Sequence, residues 1–460
     1  MQKNLFYGSL MDMLDSKDPL VVLADTIKWS KFEDEFAQYY SKEGRPAKPI
    51  RLMVGLILLK QLENLSDENV VIAWKRNPYF QYFCGFSDFQ TALPCHSTDL
   101  VYFRNRIGKK GFEFIFKHSI EIHSNENLNE SQVIADTTIQ ESNLTYPTDG
   151  KLAIKIINHL HKIVKVENIK LRRSYIKEIK QHRINLRFFR HPKKIIKAKA
   201  SMKRLRTIAK TILRDIDRKF GDNLELHNKY ATKFYLYIRV LLQEKNTKNK
   251  IYSLHEIDAY AVNKGKDHKG YEYGTKASVV TTKNSGIIVG VSAHRENEHD
   301  SKTLKLALEN TISNLGSKTI NEVICDRGYR GSKQIIINNE TVIDISIPSN
   351  QQKKDTPEQI NIKKEKFRRR AAIEPIIGHL KSDHRMQRNY LKGFIGDQIN
   401  LLLAATAFNL KKWMNIYFYA FFTGNLFLLK EAYQQLQHQK ELIMFLLQLK
   451  ITMKFSNLDY

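Results

Sequence analysis

Asp136, Asp326 and Glu374 are the residues whose surroundings point most directly at chemistry. Asp136 sits in the run Val133-Ile134-Ala135-Asp136-Thr137-Thr138. Asp326 closes Val323-Ile324-Cys325-Asp326 and is followed by Arg327-Gly328-Tyr329. Glu374 follows Arg368-Arg369-Arg370-Ala371-Ala372-Ile373 in a helical pattern. Two carboxylates at strand ends and a third on a helix can converge on a pair of hard cations, a common means of cutting or joining phosphodiesters. Taken singly, each acid has a plainer reading. A strand Asp also serves as a cap, a turn former or an ion-pair partner, and Glu374 can simply pair with the arginines before it.

The elements that must carry these side chains read as follows. Residues 46–117 form a helical unit. Pro49 opens a run with Leu52, Leu56, Leu59 and Leu62 at helical spacing. Ser66 is a candidate N-cap for a second helix, Pro78 and Gly85 break the chain, and Ser97 is a candidate cap for a third helix carrying Arg104 and Arg106. Such a unit suits a helix-turn-helix-like DNA reader, or a helical packing or dimerisation domain. A strand at 132–138 begins the next domain. After an interruption, strands return at 271–282 and 286–292 around the turn Asn284-Ser285. A helix at 302–315, strands at 321–325 and 341–347, a basic helix at 364–381 and an apolar helix at 399–414 follow. This is an α/β order, with helices covering a mixed sheet.

The interruption is basic. Residues 151–220 hold 23 Lys and Arg against 4 Asp and Glu. Leu205, Ile208, Ile212, Ile216 and Phe220 mark one helix face, with Ser201 as a possible cap. The sign imbalance exceeds what a solubilising surface needs and favours contact with a phosphate backbone. Removing several Lys or Arg within 183–206 is expected to weaken DNA binding and flatten its salt dependence.

The 460 residues leave room for two or three domains. A formal charge of +27 and a pI near 9.7 suit polyanions. The apolar run Ile416–Phe422 is far short of the ~18 residues of a membrane span. The N-terminus, with Asp12, Asp15 and Asp18, does not look like a signal peptide. Cys84, Cys95 and Cys325 form no disulfide framework. Cys84 and Cys95 with His96 would be half a zinc site, but no second ligand pair follows, so buried thiols in a reducing cytoplasm fit better. No Gly-rich phosphate loop is present: Gly328 and Gly331 lack the lysine-serine/threonine signature and read as turn glycines.

The three acids also fall into a joint pattern. Phe367-x2-Arg370-x3-Glu374-x6-Lys381 resembles the Y-x2-R-x3-E-x6-K signature of bacterial insertion-sequence transposases. Ile134-Ala135-Asp136-Thr137-Thr138 and Cys325-Asp326-Arg327-Gly328-Tyr329 resemble that family's two aspartate motifs. The likeness extends to His268-Lys269-Gly270-Tyr271-Glu272-Tyr273-Gly274-Thr275-Lys276, to Leu401-Leu402-Leu403-Ala404-Ala405 and to the N-terminal helices. The whole, about residues 45–414, is similar to the insertion-sequence family-five group of DDE transposases. The family's tyrosine is Phe367 here, which removes any phosphate contact from a phenol hydroxyl.

The resemblance implies an RNase H-like catalytic domain at 126–414, a helical DNA-binding domain at 1–125, a basic insertion at about 150–250 and a helical extension at 415–460. It implies two Mg2+ (or Mn2+) ions, with Asp136 bridging both, Asp326 on one and Glu374 on the other. Water would attack first to free a 3′-hydroxyl, which would then attack target DNA. Arg370, Lys381, Arg104, Arg106 and Lys276 are the expected DNA contacts. The implied partners are double-stranded DNA, meaning terminal repeats and target, and a second copy of the chain in a homodimer, with no membrane and a cytoplasmic, nucleoid-associated location. Two alternatives stay open: a catalytically silent descendant kept for DNA binding, and a metal-dependent nuclease that cuts without joining.

Overall fold

The computed structural model describes residues 9–418, apart from 42, 45, 124–127, 190, 245, 267–268, 317–319, 332, 339–340 and 349–354. The helices expected over 415–460 lie outside the described residues beyond 418. The chain divides into two compact units. The first takes in residues up to 107, 114–125 and those from 406 onward; the second takes in 108–113 and 126–405.

In the first unit, α1 (Leu10–Met13), α2 (Pro19–Thr26), α3 (Trp29–Ala37), α4 (Ile50–Leu62), α5 (Asp67–Arg76) and α6 (Pro78–Phe83) follow in order, then α7 (Ser97–Glu121), which kinks at Gly108 and whose residues 108–113 belong to the second unit. Helix α4 is apolar around nearly its whole circumference, so it lies at the centre, buried from Leu52 to Leu62. Ser66 caps α5 by accepting from the Asn69 amide at 3.1 Å. Two local readings are corrected. The N-cap of α7 is His96, one residue before Ser97; its ring accepts from the Thr98 amide at 3.3 Å, and Asp99 accepts from the His96 amide at 3.0 Å. Pro78 does not break the chain but opens α6, where a missing N–H costs nothing, with Asn77 as the cap.

The second unit is built on a mixed sheet. Its strands are β1 (Gln132–Ser142), β2 (Tyr260–Lys266), β3 (Lys269–Thr282), β4 (Ile288–His294), β5 (Glu322–Ile324), β6 (Gln334–Ile337), β7 (Thr341–Ser346) and β8 (Arg388–Asn389). The order is β2-β3-β1-β5-β7-β6, with β4 also on β3 and β8 also on β1. Strands β1, β5 and β7 run parallel, while β3 and β6 are antiparallel to their neighbours. Gly274 lets β3 come against β1: a Cβ there would lie 2.0 Å from the Gln140 carbonyl oxygen. Strand β7 is less buried than expected, with only Ile343 fully enclosed. Strands β2 and β6 had no distinct signal in the sequence.

Between β1 and β2 come α8 (Asp149–Val166), α9 (Ile176–Asn185), α10 (Ile195–Phe220) and α11 (Leu224–Leu242). The expected seam on α10 is buried, and it packs against Ile156, Ile157 and Leu160 of α8 and Phe234 and Tyr237 of α11. Ser201 is not a cap. It lies inside α10, buried, and takes a hydrogen bond of 3.0 Å from Asn185.

Helix α12 (Asp300–Leu315) lies against β3 and β4. The single basic helix expected at 364–381 is two helices, α13 (Pro357–Ala371) and α14 (Ile373–Ser382). Pro375 explains the break: it has no N–H for the Ala371 carbonyl, and its ring crowds that carbonyl. Residues 393–418 form α15. Its first turn carries Asp397, which is buried and accepts hydrogen bonds from Thr275 at 2.5 Å and Asn389 at 2.7 Å. This ties α15 to β3 and β8.

A candidate active site beside two parallel strands

The register of β1 and β5 pairs Ile134 with Ile324. Two residues beyond this pair stand Asp136, inside β1 rather than at the strand end expected from sequence, and Asp326, just past the end of β5. Strand β5 ends there, so the Asp326 side chain folds into a turn and accepts from the Gly328 amide at 2.8 Å. Asp136 accepts from the Thr137 amide at 2.7 Å. Burial above all, then the charges of Asp326 and Asp300, push the Asp136 carboxyl up to about 6. The Thr137 amide and the Arg370 guanidinium act in the opposite direction.

Glu374 rides on α14. Its neighbour Ile373 is fully buried against Ile134 and Ile324, the residues two positions before Asp136 and Asp326. The Glu374 side chain itself is 59% exposed and is paired with Arg370. Arg370 thus bonds one carboxylate while its charge is felt at another. As placed, no group of three His, Cys, Asp or Glu side chains among the described residues stands close enough to hold a single metal ion.

The sequence did not single out Asp300 or Tyr329. Asp300 begins α12, where an acid is an ordinary helix-start choice, so nothing local set it apart. Its Oδ1 accepts from Thr137 Oγ1 at 2.9 Å and from Lys276 Nζ at 3.0 Å. Tyr329 is 1% exposed, and its hydroxyl has no hydrogen-bond partner among the described residues. Burial first, then Cys325 and the carboxylates of Asp136, Asp300 and Asp326, push that phenol well above its usual range.

The expected DNA contacts are placed unequally. Lys276 is 8% exposed and is engaged by Asp300 and by the Glu298 carbonyl oxygen. Arg104 is 4% exposed. It grips Asp67 with two hydrogen bonds of 3.0 and 2.5 Å, and Lys60 adds a third cationic contact at 3.2 Å. This is a correction for Arg104: its guanidinium is committed to the interior of the first unit. Replacing it by Ala leaves Asp67 with Lys60 alone, and we expect a loss of about 3 kcal/mol in urea unfolding. An unchanged midpoint would count against that role. Arg106 is exposed and lies over the Tyr40 ring at 4.6 Å. Lys381 is half-buried on α14, and Phe367 is 41% exposed.

The insertion carries its own feature. A groove of about 490 Å³ is lined by Lys151, Lys155, Arg183 and Arg187, together with Thr148 and Asn158, and no carboxylate lines it among the described residues. Other cations of the insertion are spent internally. Arg204 pairs with Glu178 at 2.6 Å and Arg206 with Asp149 at 2.8 Å.

Comparison with known proteins bears on both units. Residues 246–410 match the family described as Transposase DDE domain, and residues 8–106 match Transposase domain (DUF772). The chain belongs to the DDE transposases of insertion sequences, and it is an enzyme of that class. It is 38% identical over 194 residues to a Rhizobium meliloti protein described as uncharacterized, ORF8 in the nfe locus; the alignment covers 41% of this chain and 94% of that one. No solved structure matches. The DDE match begins beyond Asp136 and the basic insertion, and it contains Asp300, Asp326 and Glu374. No helix among the described residues is long and apolar enough to cross a membrane.

Proposed function

We propose that this transposase binds the ends of an insertion sequence and carries out metal-dependent strand cleavage followed by strand transfer, with Asp136, Asp326 and Glu374 as the acting carboxylates. One observation carries the reading. Asp136 in β1 and Asp326 just past the end of β5 each stand two residues beyond the paired Ile134 and Ile324, close enough for one charge to act on the other, and the helix bearing Glu374 is anchored by Ile373 on those two isoleucines.

The donor set is all oxygen and suits a hard cation. Burial above all, with the neighbouring carboxylates adding to it, raises the proton affinity of Asp136, and nearby positive charge would relieve it. Mg2+ or Mn2+, two ions in all, would supply that charge and polarise the scissile phosphate. Asp136 and Asp326 would hold them from the sheet. Glu374 would complete the set, and the Arg370 guanidinium beside it would suit a phosphate in a bidentate grip. Lys381, on the same helix as Glu374, and Arg106, on the first unit, would steady the flanking backbone. Lys276 acts differently from the expectation: it serves the site through Asp300 rather than by reaching DNA.

The motif spacing from Phe367 to Lys381 supports the family-five group, an RNase H-like arrangement of the second unit and a DNA-reading role for the first. Two ends must be cut together, so a homodimer on DNA is the natural assembly, and a nucleoid-associated location follows from the DNA partner. The test is a duplex carrying the element's terminal repeats with a plasmid target. Mg2+ should produce nicks at the repeat ends and joined products; EDTA should abolish both, and Glu374→Gln should lower both by at least about 10³-fold. Cutting without joined products would favour a nuclease. Absence of any Mg2+-dependent cutting would overturn the proposal.

A further inference from the structure

We infer that Asp300 is an additional metal ligand, sharing one cation with Asp326 across Gly328. The inference rests on the proposed carboxylate site and adds to it a residue that neither the motifs nor the family matches single out.

The geometry comes from Gly328. A Cβ at this position would have Asp300 Oδ2 at 3.0 Å and Asp326 Oδ1 at 3.0 Å. Both oxygens therefore face the same point and lie within about 6 Å of each other. A side chain at 328 would fill the space between them; glycine leaves it open. The two oxygens of Asp300 are divided in their work. Oδ1 is held by Thr137 at 2.9 Å and Lys276 at 3.0 Å. Oδ2 accepts no hydrogen bond from any described residue and shares with Asp326 Oδ1 the space beside Gly328. Thr137 follows Asp136 directly, so the carboxylate that borders this space through Oδ2 is tied through Oδ1 to the strand bearing Asp136.

Tyr329 supplies an independent sign of an occupant. Its hydroxyl is buried, feels the charges of Asp136, Asp300 and Asp326, and finds no partner among the described residues. A buried donor left without an acceptor costs about 1–3 kcal/mol. An oxygen arriving with the occupant, from water or a phosphate, would satisfy it. Two carboxylates suffice for the protein's share of such a site, because Mg2+ commonly keeps several waters and takes its remaining ligands from substrate phosphate. The absence of a three-residue cluster is thus compatible with a cation held by Asp300 and Asp326 alone.

Lys276 bonds only Oδ1, which Thr137 also holds, and leaves Oδ2 for the cation. Removing its ammonium subtracts a positive charge beside the site, so cation binding should hold or tighten. A purely structural Asp300–Lys276 pair makes the opposite forecast: loss of either partner would disturb the site alike.

The experiment is a Mn2+ titration of the full-length protein without DNA, with free Mn2+ read by electron paramagnetic resonance. The variants are Asp300→Asn, Lys276→Gln, Tyr329→Phe and Asp136→Asn, each checked by circular dichroism. We expect Asp300→Asn to weaken Mn2+ binding at least tenfold, Tyr329→Phe to weaken it severalfold, and Lys276→Gln to bind as tightly as the parent or more so. If Asp300→Asn binds like the parent while Asp136→Asn has lost affinity, the Asp300 inference fails and the carboxylate site stands. If Asp136→Asn also binds like the parent, the carboxylate site itself fails. Equal loss in Asp300→Asn and Lys276→Gln overturns the ligand role in favour of a structural pair. Should Asp300→Asn not fold, Lys276→Gln still decides, since weakened binding there overturns the inference.

Discussion

Asp136→Asn should lower Mg2+-dependent strand cleavage by at least about 10³-fold and at the same time make the protein more stable in EDTA at pH 7.5. The two halves have one cause. Burial and the neighbouring carboxylates hold the Asp136 carboxyl at about 6, above its ordinary 3.8. Between those two values the folded protein binds more protons than the unfolded chain, so stability falls as pH rises. The cost is absent below about pH 3.8 and fully present above about pH 6. Asn is neutral throughout and can still accept from the Thr137 amide. The variant should therefore gain on the order of 2 kcal/mol at pH 7.5 and converge with the parent toward pH 4. Adding Mg2+ should raise the parent's melting temperature more than the variant's. Thermal melts at pH 4.5 and 7.5, with and without Mg2+, read every part of this. A variant less stable than the parent in EDTA at pH 7.5 would show that Asp136 is a structural acid.

The insertion should give the second large effect. Replacing Lys151, Lys155, Arg183 and Arg187 together by Ala should weaken duplex DNA binding by about 10²-fold near 0.1 M salt, and should flatten the plot of log affinity against log salt by about 2–4. These four line one groove that no acid shares among the described residues. None of them contributes to the apolar seam between α8, α10 and α11, so folding should survive. Arg204 and Arg206 provide the contrast. Each already holds an acid, and removing those two should disturb the insertion's packing while leaving the salt slope nearly intact. The sequence marked 183–206 as a block; the ion pairs divide it into groups that serve the fold and groups left for a polyanion. An unchanged slope in the fourfold variant would remove the groove from the DNA path.

The apolar runs before Asp136 and Asp326 were legible because a strand buried on both faces needs unbroken β-branched residues. The seam of α10 was legible from its 3.6-residue period, and the charge surplus from a count. Arg104 shows where that legibility ends. A basic residue at helical spacing looks the same whether it meets solvent or an acid from another helix, and Asp67 lies 37 positions away. Pro375 carried a readable signal, a missing donor inside a helical run, and it splits α13 from α14.

From its own residues the chain determined which carboxylates are candidates, the period of each main element and the surplus of positive charge, since these rest on local composition and repeat. Tertiary structure alone decided which groups are spent on one another and which are left over: Lys276 with Asp300, Arg104 with Asp67, and the Tyr329 hydroxyl with no partner among the described residues. The physical reason is that electrostatics and hydrogen bonding act over a few ångströms of space, and only the folded path brings residues scores or hundreds of positions apart within that range.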